Sequence, residues 1–170
     1  MSAARLPLHI DPLRLAKTGA RLHGSLPMAG MERLGSLLAA KPGDVTLSLT
    51  FDLDPDLRVA VLHLQLQAEL ELSCQRCLDT LKHPVAIDRR LGVVMNELQA
   101  EQLPEEYEPL LATPEPLFLR DVIEDELILC LPIVPRHAEH VCGLKMKEET
   151  LSETATSHPF AALAELKNTD

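Results

Sequence analysis

From Val45 to Met95 the chain alternates apolar and polar residues with a period of two, the spacing of a strand that buries one face and wets the other. Val45, Leu47, Leu49, Phe51 and Leu53 alternate with Thr46, Ser48, Thr50 and Asp52, and Asp54, Pro55 and Asp56 then supply a turn. Leu57, Val59 and Val61 resume on the same parity, after which the apolar set switches to Leu62, Leu64, Leu66, Ala68, Leu70 and Leu72. Because a slip of one residue exchanges the two faces of a strand, this change of phase predicts a β-bulge near 60–62. Beyond "CQRC" a third set, Val85, Ile87, Leu91, Val93 and Met95, is interrupted on its own face by Arg89. Residues 45–96 therefore read as an antiparallel meander with the cysteine pair at one hairpin end.

The flanks read differently. "RLPLHIDPLRLAK" suggests an irregular or edge strand, because Pro7 and Pro12 interrupt it. "SLPMAGMERLGSLLA" predicts a helix starting near Ser25 and Pro27, with Met31, Leu34 and Leu38 at helical spacing. Residues 97–116, rich in Glu and Pro, read as an exposed connection. A second helix follows in "LFLRDVIEDELILCLP", with Leu119, Ile123, Leu127, Cys130 and Leu131 on one stripe. With 2% aromatic residues the core has to be aliphatic. The expected fold is α+β, a single domain in which the meander, its closure into a barrel left open, packs with two helices and ends in a partly flexible tail. The division expected is 1–135 for this domain and 136–170 for a Cys/His segment and tail with a short amphipathic helix. The start lacks the apolar core of a signal peptide and no later stretch runs long without charge, so a cytoplasmic protein with no membrane contact is expected.

Cys74 and Cys77 form the first half of a metal knuckle, a strand end and tight turn that aim two thiolates at one tetrahedral ion. The second half has to come from "RHAEHVC": His137, His140 and Cys142 are the candidates, Cys142 with either histidine being preferred. Structural Zn2+ is the cofactor this pattern implies. Unmetallated turn cysteines are the plainer alternative, and a thiol oxidoreductase is a third, although its CxxC belongs at a helix N-terminus. Cys130, on the apolar stripe, reads as an inert buried thiol.

Charge divides the remaining candidates. Residues 97–126 hold one Arg against ten acids, most of the net −10. Asp121, Glu124 and Asp125 share a helix face and could be imagined as a magnesium site for RNA cleavage, but a solvated acidic face for a basic partner is the simpler reading. Arg76 at the knuckle tip, Lys82, Arg89 and Arg90 could form a local basic patch for RNA or partner contact. "PFAALAELK" could dock on its own domain or on a partner.

"LPLHIDPLRLA", "LELSCQRC", "LPEEYEPL", "VIEDELILCLPIVPRH", "HVC" and "PFAALAELK" together resemble the bacterial YceD family over nearly the whole chain. The resemblance carries the family's cysteine pair onto Cys74 and Cys77 and its downstream cysteine onto Cys142. Cys130 stands where the resemblance implies a small apolar residue, and His158 precedes Pro159 where it implies Asn. It implies a non-catalytic accessory factor promoting synthesis, processing or stability of 23S ribosomal RNA and large-subunit assembly. The partner would be large-subunit precursor rRNA or a basic ribosomal or assembly protein. The competing class is a metal-dependent RNA-processing enzyme or the thiol oxidoreductase already named.

Overall fold

A computed structural model describes residues 6–138 and 141–142 of the 170-residue chain. The elements run β1 (His9–Ile10), α1 (Pro12–Lys17), β2 (Arg21–Pro27), α2 (Glu32–Gly35), β3 (Asp44–Leu53), β4 (Ala60–Ser73) and β5 (Thr80–Val94). They continue with α3 (Glu97–Ala100), β6 (Glu108–Leu111), β7 (Leu117–Phe118) and α4 (Leu119–Leu129).

The period-two segment forms the centre of a five-stranded sheet of order β2-β3-β4-β5-β6. Its register pairs apolar residues directly: Leu47 with Leu66, Leu49 with Leu64, Phe51 with Leu62, and Leu62 in turn with Leu91. All of these are buried, each worth roughly 1.5–3 kcal/mol on removal from water. α4 adds Leu119, Ile123 and Leu127 to the same core, and α1 adds Pro12 and Ala16. α1 is short but well started: Asp11 accepts the Arg14 N–H at 3.0 Å, and Pro12 occupies the first turn, where no N–H is needed. The opposite parity of the sheet, including Gln65, Gln67 and Asp88, faces solvent.

Several expectations are corrected. The register between β3 and β4 runs without a break from Leu53–Ala60 to Thr46–Gln67, so there is no bulge at 60–62. Leu57 and Val59 belong to the turn; the change of phase is the turn's length, not a fault in a strand. Ser25 and Pro27 end β2, and the helix after them is only Glu32–Gly35. The opening segment holds a two-residue strand and then α1. The 97–116 connection contains β6, which pairs parallel with β5 and makes the sheet mixed. Gly92 of β5 permits this crossing, since a Cβ there would meet Leu103 at 2.9 Å. The sheet stays open, with β2 and β6 as its edges. Cys130 is half-buried at the end of α4, its thiol donating to the Leu127 carbonyl at 3.0 Å. The expected terminal helix lies outside the described residues, and no helix among those described is long and apolar enough to cross a membrane.

Candidate metal centre

β4 and β5 outrun their neighbours as a two-stranded arm whose last pair is Ser73 with Thr80. The turn that closes it, residues 74–79, repeats the turn at 54–59. In each, the first residue's N–H donates to the carbonyl of the sixth at 2.9 Å, and the fifth residue's N–H donates back to the first at 2.8–2.9 Å. In each the fifth residue, Arg58 or Leu78, has a positive φ (55° and 64°). Asp54 stabilises its turn by accepting the N–H groups of Asp56 and Leu57 on its carboxylate. Cys74 takes that position in the second turn. Burial opposes ionisation of its thiol, but the backbone N–H groups of Cys77, His137 and Arg76 outweigh burial and lower it to about 5. A turn that elsewhere holds a carboxylate is thus set up to hold a thiolate.

The strap after α4 completes the site. Gln75 N–H donates to the Pro135 carbonyl at 2.9 Å, which draws residues 135–142 across the turn. Cys74 Sγ lies 3.7 Å from Cys142 Sγ, and His137 Nδ1 lies 3.4 Å from Cys77 Sγ and 3.7 Å from Cys142 Sγ. The four ligand atoms of Cys74, Cys77, His137 and Cys142 all fall within 4.8 Å of one another. A tetrahedron with Zn–S of about 2.3 Å and Zn–N of about 2.0–2.1 Å has edges of roughly 3.5–3.8 Å, so the observed separations fit that ion. His137 Nε2 sits 3.2 Å from the Thr80 carbonyl, a contact that places the ring proton there and leaves the Nδ1 lone pair for the cluster. The Asp79 N–H favours a thiolate at Cys77, but burial and the Cys74 and Cys142 sulfurs push it up to about 11. A divalent cation would relieve that crowding of negative sulfurs. Of the sequence candidates, His137 joins the cluster and His140 lies outside the described residues.

Residues 62–167 match the family described as large ribosomal RNA subunit accumulation protein YceD. The chain belongs to the YceD family. A Haemophilus influenzae protein named large ribosomal RNA subunit accumulation protein YceD is 33% identical over 173 residues, covering 98% of this chain and 99% of the relative. No solved structure matches.

The basic candidates of this YceD family member are all engaged. Arg76 turns back onto the strap, its Nη2 3.4 Å from the His137 carbonyl and 3.3 Å from that of Ala138, instead of projecting from the tip. Lys82 pairs with Glu69 at 2.9 Å, Arg89 with Glu108 at 3.2 Å and Arg90 with Glu106 at 3.3 Å. Arg90 also lies 5.4 Å from the Tyr107 ring centroid. Such exposed pairs add little stability, but they cancel the positive field that the sequence suggested. Tyr107, buried beside them, donates its hydroxyl to Asp54 at 2.7 Å and clips the β3–β4 turn to the acidic connection.

The acidic trio also separates. Glu124 is not solvated: 5% exposed, it accepts Arg33 Nε at 3.2 Å, Arg33 Nη2 at 3.0 Å and the Leu34 N–H at 2.9 Å. Burial alone would raise its carboxyl, yet Leu34 and Arg33 hold it below the usual value. Asp125 binds the other side of the same guanidinium at 2.6 Å, and Asp121 is exposed. A bound guanidinium occupies the position a magnesium ion would need. No spacing rule reveals the Arg33–Glu124 latch, because its halves are 91 residues apart.

Proposed function

We propose that this chain is a non-catalytic accessory factor that promotes accumulation of large-subunit (23S) ribosomal RNA, with a structural zinc ion in the Cys74, Cys77, His137 and Cys142 cluster. The observation that carries the metal assignment is the convergence of three sulfurs and one imidazole nitrogen at tetrahedral-edge separations, a soft donor set that suits zinc. All four ligand positions come from the protein, the closed pattern of a structural site with no position left for a water nucleophile. The ion would supply a rigid cross-link between the arm and the strap. Cys74 lends a pre-ionised thiolate, His137 a lone pair fixed by Thr80, and Arg76 a positive charge beside the sulfurs.

The role in rRNA accumulation follows from membership of the family and from the printed name of the relative. The charge arrangement favours contact through protein over contact with RNA alone, since Lys82, Arg89 and Arg90 are each matched by a carboxylate. A basic ribosomal or assembly protein, met by acids such as Asp121 and Glu115, suits this surface better than a phosphate backbone. The nuclease alternative loses support from the Arg33 guanidinium between Glu124 and Asp125. The oxidoreductase alternative loses it from the placement of Cys74 and Cys77 in a hairpin turn instead of at a helix N-terminus.

The test is purification of the tagged chain from growing cells with and without nuclease treatment, followed by probing for large-subunit precursors and ribosomal proteins. Retention of a basic protein after nuclease is expected. Complete loss of every partner on RNA digestion, with discrete 23S cross-links to the chain, would replace the protein-mediated reading by direct RNA contact.

A further inference from the structure

A groove of about 280 Å³ lies beside the metal centre and takes no part in the role proposed above. Leu37, Leu72, Ile128, Leu131, Pro132 and Ile133 line it together with Gln75 and Pro135, and none of these residues is charged. In a chain of net charge −10, an uncharged apolar wall of this kind suits an apolar occupant. Ile133 on its rim is 95% exposed and Leu37 50% exposed, while the neighbouring Leu129 is 78% exposed.

The wall of the groove and the metal centre are continuous: Gln75 and Pro135, joined by their backbone hydrogen bond, belong to both the groove and the turn that carries Cys74. The chain passes out of the described region immediately after Cys142, at this same corner, with residues 143–170 still to place. Those residues contain one apolar stripe at helical spacing, Phe160, Leu163 and Leu166, preceded by Pro159 at the position proline prefers in a first helical turn. A helix of about nine residues is too short to persist alone in water, so this stripe needs a surface to form on. The 16 residues 143–158 reach at most about 54 Å when extended, and a flexible tether of that length gives an effective concentration in the millimolar range. The sequence shared with the YceD family runs to residue 167 and so includes the stripe.

We infer that residues 159–167 fold back as a helix and seat Phe160, Leu163 and Leu166 in the groove formed by Leu37, Leu72, Ile128, Leu131 and Ile133. The tail then closes over the strap that carries His137 and Cys142. Docking is intramolecular, because the groove lies where the tail begins.

The absence of Trp from the chain provides the probe. In full-length F160W protein, the single indole is expected to emit blue-shifted from free indole and to resist acrylamide quenching several-fold, independently of protein concentration. Ile133→Asp and, separately, Leu37→Asp should return the emission to that of free indole. Both side chains are exposed enough for substitution without loss of the fold, and metal content measured on the same samples shows that the centre is intact. A peptide of residues 157–170 added to a chain truncated at 156 should bind, and Ile133→Asp should abolish that binding. Free-indole emission from full-length F160W would overturn the inference. So would a blue shift indifferent to both groove substitutions, or one that grows with protein concentration, which would make the occupant a second copy. An indole that becomes shielded only on addition of ribosomal protein would assign the stripe to a partner and overturn it equally.

Discussion

Replacing Glu124 by Ala should destabilise the fold by about 3 kcal/mol, although the residue was expected to be one of a solvated acidic group. The figure is built from its contacts. The Leu34 N–H, on a residue with no exposed surface, would lose its acceptor at 2.9 Å, and an orphaned buried donor costs about 1–3 kcal/mol. Loss of the charge-assisted pair with Arg33 adds to this, moderated because the arginine side chain is 55% exposed and keeps Asp125. Glu124→Gln retains an oxygen for Leu34 and should lose about half as much. For a chain of this size 3 kcal/mol corresponds to a fall in Tm of roughly 6–12 °C. Urea unfolding at pH 7 measures the difference directly. The pH dependence has a definite sign: the folded-state carboxyl is held below its ordinary 4.5, so its contribution is complete above that value and is lost as pH falls through the folded pKa. The gap between wild type and Glu124→Gln should therefore be constant from pH 6 to 8 and narrow in acid. An Ala variant within about 0.5 kcal/mol of wild type, the range of an ordinary surface substitution, would refute the latch.

Other substitutions probe other joints of the structure. Arg76→Ala should weaken metal affinity about 10–100-fold, as loss of an outer-shell partner does, while leaving the circular dichroism of the sheet unchanged; competition with a chromophoric chelator reads this. Tyr107→Phe should lower stability, since Asp54 loses its hydroxyl donor at 2.7 Å but keeps the N–H groups of Asp56 and Leu57, and thermal unfolding measures it. Gly92→Ala forces a Cβ to within 2.9 Å of Leu103 and should cost about 1–3 kcal/mol in urea unfolding, by overpacking the contact between β5 and the connection.

The strands were legible in the sequence because a one-sided sheet writes its burial directly into residue parity, and α4 was legible because Leu119, Ile123 and Leu127 repeat at helical spacing. What the sequence hid depended on partners far along the chain. Leu57 and Val59 have strand-like side chains but sit in a six-residue turn whose positive φ falls on Arg58, a residue that gives no turn signal. β6 was concealed because its four residues stay largely exposed, and only its parallel pairing with β5 makes it a strand. Glu124 looks like any helix-face acid until Arg33 is brought to it. In the metal centre the first cysteine pair was visible from spacing. The choice among the downstream histidines was not, since it depends on how the Gln75–Pro135 bond drapes the strap and brings His137 to the cluster. The basic patch failed for a physical reason that local sequence does not contain: the acids that neutralise Arg89 and Arg90 lie on the neighbouring connection.

The account rests most heavily on the Cys74, Cys77, His137 and Cys142 cluster as a zinc centre. Elemental analysis of the full-length protein, purified without chelator or affinity metal, tests it most directly when wild type is compared with Cys142→Ser. One zinc per chain is predicted for wild type, falling well below that in the variant, with loss of zinc leaving the strap open to protease near residue 137. Wild-type protein that holds no zinc, carries four titratable thiols and shows an equally protected strap would contradict it.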